Sequence, residues 1–400
     1  MNHLSTSQPT PPQPGAAARA VDAALVDLDR EIDWLARVSP TGNDARWRTF
    51  VANDFQFAPP LTYEPLELDC EAVRYRLDSL PLAEIDEPTF AVLLAEKADE
   101  LRRQVRLLEC RDTPAFVAAS IDLFGEIDRT LLDDAETILS DVPERSPTGP
   151  RAGADDVLAE AQRCRAEYAE AAPEFAFEIH VVPDTDYKLM VRAGDLYVDA
   201  RLDISTHRVR PLVAHEVGVH VLTWFNGRRQ PLALLQSGFG HYDALQEGLA
   251  TFCEFLEGCL PPSRLRVLAA RVVAADLATR ATPLEEIFDV LHRSHGLPVE
   301  PAFEVAVRAK RGGGLTKDAV YLAGLRNLLS WLGRGGDLTE LFVGKFALRH
   351  HHLIVDLLDR GLLRPPALLP NCLSSGDGVA RLADAAERPL TALYDIDCTT

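Results

Sequence analysis

No run of 18 or more apolar residues occurs in this chain, so no membrane-spanning helix is predicted. A basic start followed by an apolar stretch is also missing. Met1 to Gly15 is instead rich in Pro, Ser, Thr and Gln, which predicts a disordered tail rather than a secretory signal. The seven cysteines (Cys70, Cys110, Cys164, Cys253, Cys259, Cys372, Cys398) are odd in number, scattered, and form no C-x-x-C pair. Reduced thiols in a cytoplasmic protein are the expectation, with Cys253 and Cys259 as packing residues. Basic residues are scarce, 41 Lys and Arg against 61 Asp and Glu, for a formal net charge of −20. That balance argues against nucleic acid or an anionic membrane as a partner held by broad electrostatics. With 400 residues and 47% hydrophobic content, the chain can still bury a substantial core.

Hydrophobic periodicity predicts a mainly helical protein. Residues 16–38 carry Val21, Leu25, Leu28, Ile32 and Leu35 at helical spacing, and further helices are predicted near 88–107, 114–140 and 155–171. Pro143 to Gly153 reads as an exposed linker. The pattern then changes: Phe175 to Val182 alternates like a strand, and Lys188–Val191 and Leu196–Ala200 flank a Gly-Asp turn as a hairpin. Helices return near 262–279, 283–294, 301–309, 316–333, 337–345 and 349–360. Asn371–Gly378 reads as a loop, and no internal repeat is visible.

Between the hairpin and these later helices lies the segment His215-Glu216-Val217-Gly218-Val219-His220, followed by Glu247 within Gln246-Glu247-Gly248-Leu249-Ala250. Two imidazoles and a later carboxylate are a ligand set for zinc, and a glutamate beside the first histidine is where an attacking water needs its base. Histidines four apart share one face of an α-helix, but these are five apart, roughly 140° from each other at 3.6 residues per turn. A π-bulge would restore their register, and Gly218 would ease it. The predicted element is therefore a locally widened helix. The competing explanation is that these are core residues satisfied by ordinary hydrogen bonds. The surrounding Val213, Val217, Val219, Val221 and Leu222 weigh against it, because polar groups in such a helix are costly unless paired or coordinated.

Other groups are weaker signals. Arg308, Lys310, Arg311 and Lys317 gather around Gly312–Gly314, either as a solvated basic loop or as a site for a terminal carboxylate. His350-His351-His352 looks like a metal tract, but adjacent helical residues point about 100° apart, so an exposed helix start is expected. His241 and Asp243 could cap the second helix or orient a ligand, and His207, Thr251 and Glu254 could do the latter.

The segment His215–His220, then Asn226-Gly227, Gln230-Pro231, Tyr242-Asp243, Gln246–Ala250 and Gly312 through Leu322, resembles the QEGLA-motif metallopeptidases. These include the microtubule-associated tyrosine carboxypeptidases and bacterial relatives. The likeness covers about residues 20 to 370 and extends more weakly to Gly344-Lys345 and Pro365-Pro366. It implies a zinc carboxypeptidase that removes a C-terminal tyrosine from a peptide or protein. By that resemblance His215, His220 and Glu247 hold Zn²⁺ and Glu216 is the base. Tyr321 assists at the oxyanion, and Lys317 and Arg311 face the substrate. An acidic surface would repel acidic tubulin tails, so the chemistry can carry over without that substrate.

The expected fold is α+β, predominantly α-helical and zincin-like, with a small sheet before the metal-binding helix pair. The expected organisation is a tail (1–15), a helical N-terminal part (16–150), a catalytic core (151–370) and an extension (371–400). A zinc aminopeptidase or dipeptidyl-peptidase type enzyme is the nearest alternative, and a non-catalytic regulatory protein retaining a metal site is another. Nothing in the sequence fixes an oligomeric state.

Overall fold

The computed structural model describes residues 11–183, 187–395 and 398, so most of the expected tail (1–10) lies outside the described residues. The chain is α+β and predominantly helical, with two small sheets. No helix among the described residues is long and apolar enough to cross a membrane. One hydrophobic cluster runs from Ala18 to Leu393.

Helix α1 (Ala16–Ile32) buries Val21, Leu25, Leu28 and Ile32, the stripe that its period predicts. The expected helix to residue 38 is broken at Asp33, which turns to φ 35 before a short second piece, Trp34–Val38. Helix α2 (Pro88–Glu109) begins with proline at a position that lacks a hydrogen-bond partner in any case. Its Lys97 is buried and paired with Asp29 (2.9 Å) and Glu100 (2.8 Å). Glu100 accepts from the backbone N–H of His241 at 2.7 Å, so the N-terminal helices fix the chain where it enters the QEGLA segment. The predicted helix over 114–140 is two helices, Phe116–Phe124 and Arg129–Asp141, separated at Gly125.

Helix α3 (Ala154–Ala171) leads to three strands, β1 (Ile179–Val182), β2 (Leu189–Arg192) and β3 (Asp195–Asp199), ordered β1-β3-β2. β1 runs parallel to β3, and β2 pairs antiparallel with it around a turn at Ala193 and Gly194, both with positive φ. β1 starts four residues later than the alternation predicts. Phe175 and Phe177 instead join an aromatic group with Tyr168 and Phe225 beneath the sheet. Within the expected linker, Arg151–Ala152 pairs with Ile204–Ser205 as a second, two-stranded sheet.

Next comes α4, a continuous helix made of Val209–His215, a π segment Glu216–Val221, and Leu222–Arg228. Asn226 near its end donates to the carbonyls of Phe342 and Leu368 and accepts from the N–H groups of Ala367 and Leu368. Gln230 similarly bonds Arg364 in both directions. The Asn226, Gln230 and Pro365-Pro366 likenesses thus mark a bolt between the motif helix and the C-terminal half.

Helices α5 (Asp243–Leu256), α6 (Pro262–Thr279) and α7 (Val320–Leu332) complete the frame. α5 and α7 cross where Gly248 meets Gly324. A Cβ on Gly324 would lie 1.8 Å from the Ala244 carbonyl oxygen, and one on Gly248 2.7 Å from Gly324 itself. Gly324→Ala is therefore expected to push the helices apart and destabilise the fold by about 3 kcal/mol. A lower urea midpoint would show it, and an unchanged midpoint would contradict the crossing. The C-terminal extension forms a helix, Gly376–Ala385, packed on α5, with Arg381 paired to Asp395 at 2.6 Å. Asp395 in turn accepts from Leu260 N–H.

Candidate metal centre

The π segment solves the spacing problem. One residue more per turn brings positions 215 and 220 onto one side, and the two imidazole centroids lie 5.1 Å apart at 77°. Around Gly218 the neighbouring side chains leave room. Its φ is not positive, and an added Cβ would meet the Tyr168 hydroxyl at an ordinary 3.7 Å. No neighbouring element therefore demands a glycine there.

α5 lies beside this segment and points Glu247 at it. His215, His220 and Glu247 each offer a ligand atom, all within 4.8 Å of one another. His215 Nε2 is 3.8 Å from Glu247 Oε2 and 4.0 Å from Glu216 Oε1. Ligand atoms this close are within reach of one shared ion. The donor set, two imidazole nitrogens and one carboxylate, suits zinc.

The outer contacts of these residues are equally specific. His215 Nδ1 lies 2.8 Å from Glu254 Oε1, which turns Nε2 toward the cluster. Glu254 is fully buried and lies seven residues after Glu247, so both carboxylates stand on one side of α5. It is held by Arg208 (2.5 Å) and Arg264 (3.3 Å). Burial alone would raise its carboxyl, but Arg264, Arg208 and His215 outweigh burial and hold it well below the usual range. Arg208 and Arg264 carry no signal in the sequence. Glu254 does, through its helical spacing from Glu247.

On the other side, the Gln246 carboxamide faces the His220 ring, and its Nε2 is buried without a partner. Thr223 Oγ1 is 2.7 Å from both the Val219 carbonyl and Gln246 Oε1. A hydroxyl has one proton and serves only one of them. With the carboxamide turned over, its N–H donates to Thr223 and its oxygen accepts from His220. That leaves the other ring nitrogen of His220 for an ion. Burial and the neighbouring His215 push His220 well below its ordinary pKa, so its ring is neutral, as a ligand must be. Burial pushes the Glu216 carboxyl up to about 7, with His215 opposing and Glu247 adding to the rise.

Lys317 and Tyr321 stand at the start of α7. Lys317 is buried and paired with Asp243 at 3.0 Å, and its ammonium lies 5.6 Å from the Tyr321 ring centroid. Burial alone would lower the Lys317 pKa, but Asp243, Tyr321, Glu247 and Asp318 together outweigh it and raise it, so it stays charged. Arg311 sits on a turn whose Gly312 packs on Phe116 and donates to the Tyr63 hydroxyl, and its charge acts on Asp318. That turn is packed down against Phe116 and Tyr63. Arg308 is forked onto Asp318 (2.5 and 2.8 Å). His350 is buried, 3% exposed, against Glu96 at 2.7 Å, which corrects the expectation of an exposed histidine tract. Its neighbour His351 bonds Glu340 at 2.7 Å. Lys345, which sequence reasoning passed over as a site residue, lies near Glu247 and Glu216. Burial lowers its pKa to about 8. All seven cysteines are free.

Residues 48–388 match the family model of the microtubule-associated tyrosine carboxypeptidases, and the chain belongs to that family. It is a family of peptidases, so this chain is carboxypeptidase-like at that level. Comparison with curated proteins returned no match.

Proposed function

We propose that this protein is a zinc-dependent, zincin-like carboxypeptidase that removes the C-terminal residue, tyrosine foremost, from peptides or proteins. The observation that carries the reading is the convergence of His215, His220 and Glu247 from two helices beside a buried Glu216. Those three side chains would hold the ion. When bound, zinc supplies Lewis acidity toward water and toward a carbonyl.

The chain's own residues do the rest. Glu216 takes a proton from the attacking water and delivers it to the leaving amine, which its raised pKa allows in both directions near neutrality. Tyr321, whose hydroxyl contacts Arg308, would donate toward the developing oxyanion. Lys317, fixed by Asp243, supplies positive charge on the substrate side of Glu247, and Arg311 adds to the same field from the neighbouring turn. Glu254 keeps His215 oriented.

The test is a peptide library in which one set is blocked at the N-terminus and the other at the C-terminus, with products read by mass. N-blocked peptides are expected to lose one C-terminal residue, tyrosine-ended ones fastest, and C-amidated peptides to stay intact. Trimming from the N-terminus, or no cleavage with zinc present, would remove this reading.

A further inference from the structure

Besides Arg271 and Arg311, five described cations stand around the candidate metal centre and its α7 wall, and four of them are tied to a carboxylate. Arg208 and Arg264 share Glu254, Lys317 holds Asp243, and Arg308 is forked by Asp318. Lys345 makes no ion pair among the described residues, but the charges that act on it most are the carboxylates of Asp243 and Glu247.

Arg271 differs from all of them. It projects from α6 on the face that carries Arg264 two turns earlier, and its guanidinium carbon lies 4.6 Å from the Tyr321 ring centroid. No described carboxylate is within ion-pair distance, and its Nε is buried without an acceptor. Its strongest charged neighbour is another cation, Arg308. Burial and that neighbour lower its pKa to about 10. Asp318 acts on it from beyond ion-pair distance, but that carboxylate is already forked by Arg308, so a guanidinium left beside a second guanidinium stays short of anionic contacts until a further anion arrives. Its planar fork, held over an aromatic ring, matches a carboxylate.

Its position also suits the end of a peptide. Arg271 shares the surroundings of Glu304 with Lys188, which directly precedes β2. β2 is the edge strand of its sheet and packs against the π segment. A peptide laid along that edge would pass the π segment and lie near the surroundings that Lys188 and Arg271 share.

We propose that Arg271, stacked on Tyr321 and flanked by Arg308, is the receptor for the substrate's terminal carboxylate. This rests on the carboxypeptidase reading and sharpens it by naming the group that selects a free C-terminus.

The test is binding, so that it does not depend on turnover. An N-acetylated hexapeptide ending in tyrosine and its C-terminal amide are titrated by calorimetry into the zinc-loaded Glu216→Gln protein, with and without Arg271→Gln. Without the arginine change, the free acid is expected to bind more tightly than the amide. Arg271→Gln should weaken acid binding by about 10- to 100-fold and leave amide binding unchanged, erasing the preference. Arg271→Lys should restore part of it. Removing an unpaired buried charge should not lower the melting temperature, whereas a structural arginine would.

Persistence of the acid preference in Arg271→Gln overturns the proposal, and so does the absence of any preference in the protein that keeps Arg271. If binding follows the expected pattern but the wild-type protein cleaves nothing, the carboxylate site stands and the catalytic reading falls.

Discussion

Glu216→Gln is expected to cut turnover of a tyrosine-ended peptide by about 10²- to 10⁴-fold while fold and zinc content are retained. The amide has nearly the same shape but cannot accept the proton of the attacking water. Its other contacts give little reason for collapse, because the nearest charged partner of Glu216 is His215 Nε2, 4.0 Å away. Burial already disfavours the Glu216 carboxylate, so the neutral amide removes a cost and the melting temperature should stay level or rise. Three measurements decide: kcat on the peptide, metal content after dialysis, and thermal melting. Normal turnover with a full complement of zinc would exclude Glu216 as the base.

Glu254→Ala is expected to be the most damaging single change near the site. It leaves Arg208 and Arg264 buried without their counter-ion and frees His215 Nδ1. Stripping one partner from a buried charge network costs about 3–5 kcal/mol, and loss of a ligand's outer hydrogen bond lowers metal affinity about 10- to 100-fold. Urea unfolding and zinc competition against a chelator measure the two effects separately. Glu254→Gln keeps an acceptor for the His215 N–H and should lose less affinity than Glu254→Ala. Wild-type zinc affinity in Glu254→Ala would show that His215 needs no such support.

Much of the candidate site is legible in the sequence because it lies in two short segments. The five-residue spacing of His215 and His220 already requires a widened turn, and the structure contains one, Glu216–Val221. Glu247 and Glu254 are seven apart on one helix, so a residue pointing at His215 from behind could be inferred from periodicity alone. The Gln246–Ala250 glycine proves to be a matter of packing, since Gly248 crosses Gly324 at a distance that admits no side chain. The strand over residues 175–178 and the exposed His350 were misjudged for a common reason. Alternating aromatics and adjacent histidines describe exposure only after neighbours are known, and here Phe225 and Glu96 supply the neighbours.

The chain's own order of residues determined the helical class, the hairpin, the widened motif helix and the identity of the candidate ligands, because periodicity and spacing act over a few residues. Only the tertiary structure decided which charges are spent on one another and which are left. Lys317 meets Asp243, Arg308 meets Asp318, and Glu254 gathers two arginines, while Arg271 has a ring beneath it and no described carboxylate at ion-pair distance. The physical reason is that a charge's partner is set by distance through space, and these partners come from different helices, from separate turns, or from opposite sides of one crossing.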